Sequence, residues 1–346
     1  MAIDVTGEPE GGLEAAADIG AQDAVEGAAA TDTGSDSSDS GADARAEADA
    51  DGAAVTPPSC EGLASTCGGT GGSKDCCASN VVVGTGDGGV FYRSNDTTAP
   101  ATVSDFKLDV YEVTVGRFRA FVNAGKGTQA SPPAPGDGAH PKIAGSSWDS
   151  SWNASLTVAT FALKAGLKCD PSYPAWTDTP NGNETRPINC VTWFEAFAFC
   201  AWDGGRLPTE AERNYAAAGG SEQRDYPWGA GIDPSKASYG CGGSDAGCSF
   251  TNLLPVGSDS PPGDGKWGQA DLAGNLWEWA LDWYASPYGI PCNDCADLQT
   301  ATDRVVRGGS TFLGSSSYLL SSNRHDLTPS SRYFSVGLRC ARTGAH

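Results

Sequence analysis

Twelve cysteines stand beside one methionine and three histidines in 346 residues, so sulfur is the first chemistry to weigh. Thiolates serve as nucleophiles, as ligands for soft metals or as halves of disulfides, and so many of them in one chain point to an oxidising compartment. Two pairs are close in sequence, Cys241 with Cys248 and Cys292 with Cys295. Zinc is the competing reading of such pairs, but it usually takes four ligands, and neither pair has a histidine nearby. Disulfides Cys241–Cys248 and Cys292–Cys295 are expected, because short spacing in Gly- or Asp-rich turns can close a small loop. Cys60, Cys67, Cys76 and Cys77 crowd into a stretch rich in Gly, Ser and Thr, where three pairings are possible.

The other reactive groups are sparse. A serine hydrolase needs a histidine base, and the candidates His140, His325 and His346 lie in no recognisable motif. A non-haem iron site asks for two histidines and a carboxylate to converge, which these scattered positions do not suggest. Pairs of Asp and Glu are plentiful, but sequence cannot bring two of them together across a cleft.

Positioning these residues falls to a few recognisable elements. Phe106, Leu108 and Val110 alternate with Lys107, Asp109 and Tyr111, the period-two pattern of a strand with one buried face. Thr114 can cap a helix carrying Phe118, Phe121 and Val122 on one stripe, which Gly125 stops. After an irregular Pro- and Gly-rich stretch to Asn189, Thr192 with Glu195 and Thr209 with Glu212 form two capping boxes, each followed by a short helix. From Tyr226 to Arg342 apolar pieces alternate with Gly, Pro, Asp and Ser clusters, which predicts irregular structure around a few strands. Ten tryptophans and the disulfides are expected to fill a core that regular elements cannot supply.

Composition divides the chain. Met1 to Asp51 holds 14 acidic residues against Arg45 alone, so it contributes −13 of the net −21. Residues 1–58 are expected to be a disordered acidic leader, 59–85 a small cysteine-rich segment and 86–346 one large domain. Such a charge disfavours nucleic acid and anionic membrane as partners. No stretch is long and apolar enough to span a bilayer. Met1 to Gly20 has neither the basic start nor the apolar run of a signal peptide, so the export signal of an extracytoplasmic chain is expected upstream or already removed.

A set of ordered motifs then identifies a family. Glu112-Val113-Thr114, Val191 to Ala196 with Cys200, Arg206 to Glu212, and Tyr226-Pro227-Trp228-Gly229 come first. Leu254 to Ser258, Asp271 to Trp279 with Asp282-Trp283-Tyr284, Arg307 to Ser310, and Gly337 to Cys340 complete the order. Together they cover about two thirds of the chain. They resemble successive blocks of the formylglycine-generating enzymes, also called sulfatase-modifying factors.

The resemblance implies a single irregular α+β domain, distantly C-type-lectin-like, with little regular secondary structure. It implies that Cys200 pairs with Cys340, which leaves Cys169 with Cys190. Family enzymes oxidise a sulfatase cysteine to formylglycine with oxygen and a copper(I) ion held by two thiolates, because soft Cu(I) suits a linear pair of them. Allowing one inserted residue after Gly309-Ser310, the two cysteine positions hold Gly314 and Leu319, and no cysteine lies between Cys295 and Cys340. Copper is therefore not expected. Ser310 and Trp277 match residues near the family's active site, but neither group replaces a thiolate, and they read as a turn hydroxyl and a core aromatic. The resemblance also implies a structural Ca²⁺ held by Asp271, Gly274, Leu276 and Glu278, since calcium wants carboxylate and carbonyl oxygens. A second family calcium site is not expected, because Asn252-Leu253 runs straight on to Pro255-Val256-Gly257.

Three functions follow in order. The first is an extracytoplasmic binding or structural module for a protein, peptide or glycan ligand, without oxidase activity. The second is a formylglycine-generating oxidoreductase working through another site, and the third a different enzyme in the same cleft, since fold does not fix function.

Overall fold

Local signals decide most of the helices. The computed structural model describes residues 56–344 apart from 64–65, 69–74, 87–88 and 244–247, so most of the acidic leader (1–58) and His346 lie outside the described residues. The strands are β1 (Ser79–Val82), β2 (Phe91–Tyr92), β3 (Pro100–Thr102), β4 (Phe106–Asp109), β5 (Trp277–Trp283), β6 (Cys292–Asn293), β7 (Arg304–Arg307), β8 (His325–Leu327), β9 (Val336–Gly337) and β10 (Ala341–Thr343). The helices are α1 (Val115–Asn123), α2 (Thr160–Gly166), α3 (Trp193–Trp202) and α4 (Glu210–Ala217). Thr114 caps α1 by accepting from the Arg117 amide, and both expected capping boxes form, Thr192 with Glu195 on α3 and Thr209 with Glu212 on α4.

The strands make three small sheets, ordered β1-β4-β10, β2-β3-β6 and β8-β7-β5-β9. In the first, β4 lies between β1 and β10, so the cysteine-rich segment enters the same sheet as the C-terminal strand. Its disulfides are Cys60–Cys77 and Cys67–Cys76. Ser59 donates its backbone N–H to Asp203, and its hydroxyl accepts from Arg117, which tie this segment to the body of the domain. The described residues belong to one compact unit.

Helix α3 is apolar almost all round and sits in the core. Trp193, Phe194 and Phe197 pack with Trp148 and Trp152, while Phe199 stacks on Phe118 at 5.4 Å. Cys200 in this helix is joined to Cys340, just before β10. Cys169–Cys190, Cys241–Cys248 and Cys292–Cys295 complete six disulfides, which take up all twelve cysteines.

Candidate functional site

The aromatic cleft is built from β5, β8, the loop that follows β7 and the segment before β9. Gly308 and Gly309 adopt φ of +106° and +76°, and a Cβ on Gly309 would stand 2.8 Å from Leu319 Cδ2. Glycine is therefore required where the chain turns out of β7. Ser310 is fully buried, and its hydroxyl donates to the Asn275 carbonyl at 3.3 Å and accepts from the Phe312 amide. It is a turn hydroxyl with both capacities used. Trp277 opens β5 and meets Tyr318 and His325 edge-on at 6.2 and 6.0 Å. With Leu313, Leu327, Tyr333 and Ser335 these three line a cavity of about 110 Å³.

The two positions matched to the family's copper cysteines lie apart in environment. Gly314 is exposed, whereas Leu319 is buried among Tyr226, Ala237 and Ala273. Sequence reading gave His325 no role and did not single out Tyr318 or Tyr333. No local signal could have done so, because His325 reaches the cleft through the antiparallel pairing of β8 on β7, opposite Val306.

Asp271, Gly274 and Leu276 lie in the turn leading into β5 and Glu278 at its start, and both carboxylates accept hydrogen bonds within the protein. Glu278 is fully buried between two arginines, accepting from Arg213 Nε at 2.7 Å and from Arg339 Nη2 at 2.9 Å. Arg213 also donates to the Leu272 carbonyl, inside the same turn. Asp271 accepts from the Gly257 amide, and burial pushes its carboxyl up to about 7. Gly274 and Leu276 give their amides to the Gly308 carbonyl and the Glu112 carboxylate. Burial, then the charges of Asp271 and Glu278, drive Glu112 well above the usual carboxylate range. Among the described residues no three acidic, histidine or cysteine side chains are grouped to hold a metal. In this structure two guanidinium groups supply the positive charge that Glu278 faces.

His140 is buried with Nε2 3.4 Å from Glu212, and its Nδ1 accepts from the Lys142 amide. Burial works to raise the Glu212 carboxyl, but Arg206, in contact at 2.5 Å, and His140 outweigh it and bring it down to about 2. Among the described residues, no helix is long and apolar enough to cross a membrane.

The sulfatase-modifying factor enzyme 1-like domain matches residues 73–344. The formylglycine-generating enzyme of Thermomonospora curvata is 30% identical over 280 residues, covering 69% of this chain and 82% of the relative. The inactive C-alpha-formylglycine-generating enzyme 2 of Bos taurus is 32% identical over 259 residues, covering 69% and 78%. Among solved structures, PvdO from Pseudomonas aeruginosa superposes with a TM-score of 0.52 at 24% identity over 78% of this chain and 96% of that one, a likeness of fold. The ordered motifs, the α+β architecture and these matches place the chain in the sulfatase-modifying factor family, the family of the formylglycine-generating enzymes.

Proposed function

We propose that this chain is an extracytoplasmic member of the family that does not convert cysteine to formylglycine, and that it uses the aromatic cleft at Trp277 to bind a peptide or glycan. The observation that carries this reading is the absence of a thiol pair: Gly314 and Leu319 occupy the two positions, and every cysteine is committed to a disulfide. Linear Cu(I) coordination needs two thiolates, and Ser310 and Trp277 cannot supply them. Six disulfides support the extracytoplasmic setting. Around the buried Trp277, the more accessible Tyr318, His325 and Tyr333 offer ring surface and a few polar edges, the kind of surface on which sugars and side chains stack. Arg213 and Arg339 hold the turn at Glu278 in place of an ion in this reading.

The test is an assay for the aldehyde. Incubated with a cysteine-containing sulfatase peptide, oxygen and Cu(I), the purified chain is expected to give no aldehyde above a control without protein. Aldehyde formation in that assay would overturn the reading and favour the oxidoreductase. Binding at the cleft is read separately, by tryptophan fluorescence on titration with peptide and glycan panels, and Trp277→Ala is expected to abolish the response.

A further inference from the structure

We propose that the Cys292–Cys295 disulfide is a thiol-exchange centre, which accepts two electrons from a peptide or protein dithiol brought to the cavity beside it. This inference does not depend on the recognition role of the Trp277 cleft.

The two cysteines differ in access. Cys292 is 2% exposed and packs in the cluster of Phe91, Ala101 and Val103, whereas Cys295 is partly exposed and lines a cavity of about 550 Å³. An incoming thiolate can therefore reach only the Cys295 sulfur. Beside that sulfur lies Arg93, 5% exposed, with Nη1 3.8 Å from Cys295 Sγ. The guanidinium is fixed from two sides, by Nη2 donating to the Gly289 carbonyl at 2.7 Å and by the Tyr288 ring 4.4 Å below it. A fixed positive charge against one sulfur of a Cys-X-X-Cys pair favours the thiolate there, the condition for reactivity.

The loop between the cysteines is held without help from the sulfur bond. β6 pairs with β3, placing Cys292 opposite Ala101, and Thr102 donates its hydroxyl to Asn293. Asp294 donates its amide to the Thr102 carbonyl, and its carboxylate accepts from the Ser104 amide and hydroxyl. Lys142 adds an ion pair at 3.3 Å. When the disulfide opens, these contacts keep the two thiols close enough to close again. Asp282 lines the same cavity, and burial, then the neighbouring Glu210, raise its carboxyl to about 7, so it can exchange protons there. Cys200–Cys340 makes the contrast, since both of its cysteines are fully buried.

The reaction balances as two exchanges. A substrate thiolate attacks Cys295 Sγ, a mixed disulfide forms, and Cys292 leaves as a thiolate that takes up a proton. The substrate's second thiolate then attacks the substrate sulfur of the mixed disulfide, and Cys295 leaves as the thiolate beside Arg93. The dithiol has become a disulfide, and the protein pair has taken up two electrons.

The experiment uses the full chain. It is mixed with a reduced synthetic peptide containing two cysteines, quenched in acid, alkylated and mapped by mass spectrometry. The expected result is opening of Cys292–Cys295 in step with oxidation of the peptide, while Cys200–Cys340 stays closed. In the reduced protein Cys295 should alkylate at least about tenfold faster than Cys292, the difference that one pKa unit makes to the thiolate fraction. Cys292→Ser should trap glutathione on Cys295, and Arg93→Gln should move the pH midpoint of Cys295 alkylation upward where Arg93→Lys does not. A peptide that stays reduced, a pair that opens only after Cys200–Cys340, or a mixed disulfide mapped to Cys292 would each overturn the proposal. If Cys292→Ser does not fold, the mapping of the wild-type chain decides by itself.

Discussion

Glu212 serves three structural functions with one carboxylate. It accepts from the Thr209 amide at the start of α4, pairs with Arg206 and faces His140. Its carboxyl lies at about 2, below its ordinary value of 4.5, so the folded state gains from its ionisation. That gain is complete above pH 4.5 and is lost as the pH falls through 2. Glu212→Gln is therefore expected to lower stability by on the order of 3 kcal/mol near neutral pH, which is about two and a half pKa units. Denaturant melts at several pH values check this, and the gap between variant and wild type should close toward pH 2. A gap that persists at pH 2 would mean that packing, and not charge, holds the residue.

At the scale of elements, the two capping boxes set the entry of α3 and α4, and the glutamate of each also fixes an arginine outside its helix. Glu195 accepts from the Thr192 amide and from both terminal nitrogens of the Arg332 guanidinium. Thr192→Ala removes the hydroxyl that accepts from the Glu195 amide, and should cost about 1 kcal/mol, as cap deletions commonly do. Thermal melts of this variant give the value, and no loss would show that tertiary packing alone places α3. Helix α2 lay inside a stretch read as irregular. It has no side-chain cap, Leu163 is its buried residue and Phe161 is 75% exposed, so neither a cap nor an apolar stripe announces it. Leu163 sits near the Phe121 ring beside Gly127, so packing of α1 against it gives the helix its reason to form.

For the whole molecule, several buried arginines are paired with carboxylates that lie elsewhere in the chain. Arg117 lies between Asp109 and Asp203, Arg307 and Arg324 share Glu210, and Arg213 and Arg339 share Glu278. Burying any of these alone would cost several kcal/mol, so each pair stands or falls together. If arginines complete the Glu278 turn, excess EDTA should leave the melting temperature equal to that in millimolar calcium. Arg213→Met should lower it in both. A melting temperature that drops only in EDTA would restore the ion to Asp271 and Glu278. The disulfide from Cys200 to Cys340 spans 140 residues and joins α3 to the start of the last strand, β10, a closure whose loss costs a few kcal/mol.

The sequence determined what short-range physics can encode. Thr192 with Glu195 and Thr209 with Glu212 are signals three residues long, so those helices were legible at once; the alternation from Phe106 marked β4, but the strand ends at Asp109, and Asp109 and Tyr111 on the face expected to be open are buried by the surrounding structure. The ordered motifs from Glu112 to Cys340 carried the family, and with it the α+β fold and the loss of the thiol pair at Gly314 and Leu319. Tertiary structure decided the rest, because the partners are far apart in the chain. Arg339 meets Glu278 across 61 residues and Arg307 meets Glu210 across 97, distances over which no periodicity survives. The same holds for the N-terminal cysteine pairing, for His325 beside Trp277 and for Arg93 beside Cys295. Each depends on which strands meet, and that is settled by burying the whole core at once.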